Sequence, residues 1–436
     1  MKLKVAMSLV AVLMLLLINH VPAFSQIIWN PSTVETVLTP GTEDWEAAYV
    51  SDPYVMYDYD DGIYKMWYRG EGTRTPGSSS FEDAIGYAES TDGLNWTNRQ
   101  LVHGPMSGYY QTKSPIVFKE GDVFRMWVVD YYEVIAGEWS GYVSYLTSSN
   151  GVEWNYEGKV LSAQGIQEPQ GDWYNIYSIC LLREGSQYTM WYSVQDNIPV
   201  EYPSKIWRAT SNDGITWENR TLSLPYNTGT WESSVFDPHV VSQEGGGYIM
   251  YYTAASQEAG WQLASATSED GITWSNRSQI GIGGGYPFFF RDVDGTPYLY
   301  FSRGTDILRV KGEETQLPIE VALDIKPGSY PNSINPESKG KIPVAILSTV
   351  EFDAPQMVNR DSLTFGPTGA EASLAFCNPE GEDVNRDGLL DLVCHFYTQT
   401  AAFQCGDTKG ILKGETQEPD GTLIEGSDSV RINPRK

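Results

Sequence analysis

Positive charge is scarce in this chain. Lys and Arg number 29 against 56 Asp and Glu, giving a formal net charge of −27 over 436 residues. Phosphate backbones and anionic headgroups repel so acidic a surface, which excludes nucleic acids and acidic membranes as expected partners. Cysteine is scarce too, and four residues are too few for a disulfide scaffold. Cys180 reads as a buried free thiol. Cys377, Cys394 and Cys405 fall near the C-terminus, where one pair is expected in an oxidising compartment; their spacing leaves the choice open. Beyond the N-terminal segment no apolar run is long enough to span a bilayer, so no membrane insertion is expected. Amphipathic helical periodicity is also missing.

The one long apolar stretch is at the start. Lys2 and Lys4 precede the run Val5 to Ile18, and Ala23-Phe24-Ser25 offers small residues for cleavage before Gln26. Residues 1–25 therefore read as a signal peptide, and a secreted or periplasmic protein is expected. Removing two Lys and no acid takes the charge from −27 to −29. A monomer is expected.

Against these absences stands a repeat. Ser90-Thr91-Asp92-Gly93-Leu94-Asn95-Trp96 returns as Ser148-Ser149-Asn150-Gly151-Val152-Glu153-Trp154, Ser211-Asn212-Asp213-Gly214-Ile215-Thr216-Trp217 and Ser268-Glu269-Asp270-Gly271-Ile272-Thr273-Trp274, roughly 60 residues apart. A second phrase recurs out of phase: Tyr64 to Tyr68, Phe124 to Val128, Tyr188 to Tyr192, Tyr248 to Tyr252 and Tyr298 to Phe301. Asp-Gly between apolar runs predicts a tight hairpin whose central residues need positive φ. Each unit then reads as four antiparallel strands, and five such units predict a five-bladed β-propeller over residues 26–314. The fifth unit stops one strand short. Trp29 to Leu38 resembles the fourth strand of unit 2 and is expected to complete the last blade, removing two open edges. The Asp-Gly-x-x-Trp phrases are then architecture. Aromatics make up 13% of the chain, including 14 Trp; blade packing and a sugar-binding surface are both open uses.

Aligning the units places Asp52, Ser114, Ser178, Asp237 and Tyr286 together on the five inner strands. Units 1 and 4 share more: Trp45-Glu46 precedes Asp52-Pro53, and Trp231-Glu232 precedes Asp237-Pro238-His239. Paired carboxylates around one channel suit glycoside cleavage, which needs an acid and a base. The catalytic candidates are Asp52, Asp237, Glu232, Glu46 and Glu168. His239, Lys113, Arg291 and Tyr286 are expected to bind substrate.

After a linker at Gly312 to Pro318 the composition changes, and residues 319–436 read as a smaller all-β domain. It carries Asp383-Val384-Asn385-Arg386-Asp387-Gly388-Leu389-Leu390-Asp391, with oxygen donors at alternate positions and Gly at the sixth, as in the first half of an EF-hand loop. The twelfth position is Cys394 in place of Glu. One structural calcium is expected, held by Asp383, Asn385, Asp387 and Asp391 with the Leu389 carbonyl.

The Asp-Pro starts and the five units resemble the arabinanase, levansucrase and invertase superfamily of five-bladed propellers. That superfamily contains glycoside hydrolase families 43 and 32, with family 130 phosphorylases as relatives. The resemblance implies carbohydrate substrates and, from family 43, an Asp base in blade 1, a pKa-tuning Asp in blade 2 and a Glu acid in blade 3. Asp52 matches the base. Lys113-Ser114-Pro115 and Tyr177-Ser178-Ile179 depart from the other two positions, which makes Glu168 the substitute acid. The family 32 invertase motifs are missing. A sialidase is disfavoured, because its repeat usually places a residue between Asp and Gly, and it uses six blades and an arginine triad. The C-terminal stretches Leu323 to Pro336 and Cys405 to Thr408 resemble an accessory module of secreted bacterial proteins. The expected function is a secreted glycoside hydrolase, and the alternative is a propeller that binds carbohydrate without cleaving it.

Overall fold

A computed structural model describes residues 25–72, 83–104, 109–135, 138–163, 175–195, 203–243, 246–316, 318–417 and 421–433. Residues 1–24 of the expected signal peptide (1–25) and Glu168 lie outside the described residues. Chain contacts divide the protein into one compact unit at Ile27–Glu314 and a second from Thr315 onward.

The first unit is a ring of five groups of antiparallel strands, the first two joined by a single parallel bridge between Asp83 and Gln111 into one eight-stranded sheet. Their innermost strands are Tyr49–Asp58, Tyr109–Glu120, Asn175–Glu184, Ser234–Ser242 and Gly285–Arg291. Blade 1 continues outward through Ile63–Glu71, Asp83–Ser90 and Thr97–His103, and blades 2 to 4 repeat that order. Blade 5 adds Pro297–Arg303 and Asp306–Gln316, then takes its last strand from the N-terminus. That segment forms two short strands, Ser25–Trp29 and Glu35–Leu38, around a turn at Pro31–Thr33. Both pair with Asp306–Gln316, with Glu35 opposite Arg309 and Leu38 opposite Ile307. The expected linker at Gly312 is thus part of a strand, because the Ile27 and Trp29 side chains pack against Gly312 and extend the pairing.

The two repeated phrases meet each other across blades. Trp67 of blade 1 donates from Nε1 to the carbonyl of Gly151 in blade 2 at 2.8 Å; Trp127 does the same to Gly214 and Trp191 to Gly271. Tyr300 of blade 5 closes the ring by donating to the Gly93 carbonyl of blade 1, joined there by Arg309. The Asp-Gly phrase is not the expected two-residue hairpin. Asp92 Oδ1 accepts from the N–H groups of Leu94 and Asn95, folding a longer loop in which Gly93 has positive φ and Asp92 does not. The loop is built to reach the neighbouring Trp.

The second unit holds two four-stranded sheets over a core that includes Ile325, Val344, Ile346, Phe365, Phe396 and Leu412. Cys377 and Cys394 face each other on adjacent strands and form a disulfide, leaving Cys405 exposed and Cys180 buried as free thiols.

Candidate active site

Asp52, Ser114, Ser178, Asp237 and Tyr286 line one pocket at the axis of the ring, together with His239. In every blade the inner strand slips its register at this level, between Ser51 and Tyr54, Lys113 and Ile116, Ile176 and Ser178, Phe236 and His239, and Gly285 and Phe288. Such bulges re-aim side chains and are common beside active sites. Asp52, Ser114, Asp237 and Tyr286 have φ of 49°, 52°, 51° and 55°, and a proline follows each. Left-handed backbone at a residue with a side chain costs on the order of 1–3 kcal/mol, and persists where the surroundings over-determine it. Ser178, followed by Ile179, does not share it.

The two aspartates occupy equivalent places in different environments. Asp237 Oδ2 accepts hydrogen bonds from Thr253 Oγ1 at 2.9 Å and from the Tyr286 N–H at 3.3 Å. The Asp237 N–H donates to Ser178 Oγ at 2.9 Å, which ties blade 4 to blade 3. Neither oxygen of Asp52 accepts a well-aligned hydrogen bond among the described residues, although the Ser114 N–H favours its ionised form. Burial raises the Asp52 carboxyl to about 6, against the pull of Arg69 and Lys113. Burial, and then the Asp52 charge, raise Asp237 to about 7.

Lys113 lies in the same cluster, buried, with Nζ 3.4 Å from the centre of the Tyr177 ring and 4.7 Å from that of Tyr131. Burial and then Arg69 lower its ammonium to about 8, while the Asp52, Asp83 and Asp237 carboxylates pull the other way. Arg69 pairs with Asp83 at 2.7 Å, and burial raises Asp83 despite that pairing. His239 packs on Phe288, and burial lowers its imidazole to about 3, so it is neutral. The Tyr286 hydroxyl lies 3.1 Å from that of Tyr177. Groups poised between about 6 and 8 in one buried cluster can exchange protons near neutral pH.

Two expected carboxylates belong elsewhere. Glu46 accepts from Tyr68 at 2.7 Å and pairs with Arg99 of the outermost strand of blade 1. The neighbouring Trp45 ring lies over Gly70 and Gly86 on the second and third strands. Blade 4 repeats this: Glu232 accepts from Tyr252 at 3.1 Å and pairs with Arg277 at 2.7 Å. Both glutamates therefore pin the loop entering their blade onto its outer half, and neither lines the axial pocket. Arg291 is corrected as well. It ends the inner strand opposite the pocket level, exposed, and is paired with Glu314.

Arg69, Asp83 and Thr253 were missed by reading the sequence. A signal existed, since Arg69 occupies the place held by Val129, Ser193, Thr253 and Ser302 in the other units. A charge at one of five equivalent positions marks a local task.

In the second unit, the Asp383–Asp391 loop is folded by its own hydrogen bonds. Asp383 accepts from the N–H groups of Asp387 and Gly388, and Asp387 from that of Leu389. Asp391 is fully buried and accepts from the Ser348 and Val384 N–H groups. Among the described residues no three Asp, Glu, His or Cys side chains converge as a metal group. Each carboxylate oxygen that accepts one N–H keeps a second lone pair, and Asp383, Asn385 and Asp387 are exposed. Those three are the loop's exposed oxygen donors, and Asp391 is its buried anchor.

No family model matches the chain. Two uncharacterised proteins of Mycobacterium tuberculosis are 30% identical over 127 residues, which is 28% of this chain and 38% of theirs. The chain thus spans little more than a third of the curated relatives it matches. Among solved structures, a β-1,2-mannobiose phosphorylase from Listeria innocua is 13% identical with a TM-score of 0.51, covering 66% of this chain and 96% of its own. A glycosyl hydrolase from Bacteroides ovatus is 15% identical with a TM-score of 0.50, covering 69% and 97%. At these identities the likeness is one of fold.

Proposed function

We propose that the axial pocket is a glycoside-processing site in which Asp237 acts as general acid and Asp52 as general base. The observation that carries this is the pair itself: two buried aspartates on equivalent bulges of blades 1 and 4, both raised by burial but in different surroundings, since Asp237 accepts from Thr253 and the Tyr286 N–H and Asp52 from neither. Environments that separate two like groups are how one site obtains both an acid and a base. Asp237 holds its proton near neutral pH and is positioned by Thr253 and the Tyr286 N–H. Asp52, beside Lys113 and Arg69, which favour its ionised form, takes the proton of an attacking oxygen in this reading; its two oxygens are buried and paired with no side chain among the described residues.

The fold is shared with both a phosphorylase and a hydrolase, and Lys113 and Arg69 place two cations beside the carboxylates. The decisive assay is therefore run on manno-, gluco-, xylo- and arabino-oligosaccharides with and without inorganic phosphate. Wild type should release sugar in one of the two conditions, and Asp52→Asn and Asp237→Asn should each lose about 10²–10⁴ in rate.

The second reading is a propeller that binds carbohydrate without cleaving it. Ser114 and Ser178 favour it, because blades 2 and 3 supply no carboxylate at the shared position. Binding with no product in either condition would decide for it. Export, from residues 1–25, a monomeric state and calcium in the Asp383–Asp391 loop belong to the same proposal.

A further inference from the structure

Beside the axial pocket lies a second cavity of about 430 Å³, lined by Tyr49, Trp261, Gly283, Gly284, Gly285, Ser302, Arg303 and Gly304. Three features set it apart from a packing defect. Its wall is an indole that the fold leaves half open, since Trp261 is 46% exposed and no other described Trp side chain is exposed. Its floor is a run of three glycines, and side chains there would fill the space next to the indole: a Cβ on Gly285 would stand 2.9 Å from Trp261 Cε3. On its rim, Arg303 is exposed and forms no ion pair among the described residues; it only lies over the Phe301 ring.

The cavity adjoins the axial site through its walls. The Trp261 ring packs on Phe236 at 5.0 Å and on Tyr286 at 6.1 Å. Phe236 immediately precedes Asp237, and the Tyr286 N–H donates to the Asp237 carboxylate. Tyr49, on the opposite wall, has its phenol held above the usual range by burial and then by the Asp52 charge. A molecule in this cavity therefore touches an indole that packs on Phe236 and Tyr286, the two residues next to Asp237 in sequence and in hydrogen bonding. A flat, half-exposed indole over a side-chain-free floor suits the apolar face of a pyranose ring, and a guanidinium at the edge suits its hydroxyls. Cavities with aromatic walls and a few convergent polar groups are the usual form of small-ligand sites.

We propose that this cavity is a glycan subsite: Trp261 stacks one sugar ring of an oligosaccharide whose neighbouring unit enters the axial pocket, and Arg303 hydrogen-bonds that ring's hydroxyls. The proposal rests on the carbohydrate reading of the axial pocket, but not on its being catalytic. The substrate class is thereby narrowed to chains of at least two units.

The test separates the two. Binding of manno-, gluco-, xylo- and arabino-tetraoses, and of the corresponding monosaccharides, is measured by calorimetry on wild type, Trp261→Ala, Gly283→Leu and Arg303→Ala. Gly283 is the position for a filling substitution, because a Cβ there meets nothing closer than 3.6 Å and its backbone is not left-handed. One tetraose should bind wild type. Trp261→Ala and Gly283→Leu should weaken it by roughly tenfold or more, as for a central aromatic contact, while binding of the monosaccharide in the axial pocket changes by less than about twofold. Melting temperatures and near-ultraviolet circular dichroism of each variant show that it is folded. Unchanged tetraose affinity in folded Trp261→Ala and Gly283→Leu overturns the subsite, even if the enzyme is active. No binding of any tetraose to wild type also overturns it. If tetraose binding depends on Trp261 while no bond is cleaved, the subsite stands and the catalytic reading fails.

Discussion

Asp52 and Asp237 sit on matching bulges at φ of 49° and 51°, yet only Asp237 accepts well-aligned hydrogen bonds among the described residues. Identical backbone therefore presents two carboxyl groups that differ in surroundings alone. Their proton affinities, about 6 for Asp52 and about 7 for Asp237, belong to the pair as a unit, because the charge of one raises the other.

This pair predicts the pH dependence of turnover. A base near 6 must be ionised and an acid near 7 protonated, so kcat/KM should peak between about pH 6 and 7 and fall on both sides. Lys113→Met removes a cation that favours ionised Asp52 and ionised Asp237, so both limbs should move to higher pH. A pH–rate profile of the two proteins checks this; an unmoved alkaline limb would remove Asp237 from the acid role.

The same shifts predict stability. Both folded-state values lie above the roughly 3.9 of an unfolded aspartate, so the folded protein holds these protons longer. Folding stability from this pair therefore falls as pH rises from about 4 through about 7, the reverse of a salt-bridged carboxylate. Asp52→Asn loses no well-aligned hydrogen bond among the described residues and should melt higher than wild type at pH 8, with a smaller gain at pH 5. Glu46→Gln should do the opposite: breaking its part-buried pair with Arg99 should lower the melting temperature at both pH values, while activity per folded molecule persists. Thermal melts paired with active-fraction assays distinguish the two carboxylates.

The contact between blades predicts a contrast between two glycines. Gly214 and Gly121 both have positive φ, at 74° and 60°, so alanine at either pays about 1–2 kcal/mol for left-handed backbone. A Cβ at Gly214 would also stand 2.7 Å from Trp127 Cζ2, whereas one at Gly121 meets nothing within 4 Å. Gly214→Ala should therefore be less stable than Gly121→Ala by a further ~1–3 kcal/mol of overpacking. Equal denaturant midpoints for the two variants would mean that the Asp-Gly loop does not hold the next blade.

Calcium should raise the melting temperature of the full chain, because an ion that binds only the folded loop stabilises it by mass action. Asp387→Ala should abolish the increment. Asp391→Ala should lower stability without calcium as well, since Asp391 anchors Ser348 and Val384. Scanning calorimetry with added calcium and with chelator reads both, and identical melts in the two conditions would leave the loop metal-free.

The chain's own order determined the blades. Phrases recurring every 60 residues or so state a local hairpin grammar, and aligning Asp52, Ser114, Ser178, Asp237 and Tyr286 found one ring because a propeller stacks equivalent residues about its axis. Only the tertiary structure separated Asp52 from Glu46. The two are six residues apart in sequence, but one lies on the innermost strand and the other is held by Arg99 on the outermost. Which way a side chain turns at a bulge, and which cation waits for it 53 residues later, is fixed by packing between strands that local pattern does not order. The same holds for Trp261, whose half-exposed indole meets Gly285 across two strands: the sequence supplies the residues, and the closing of the ring decides which of them face a ligand.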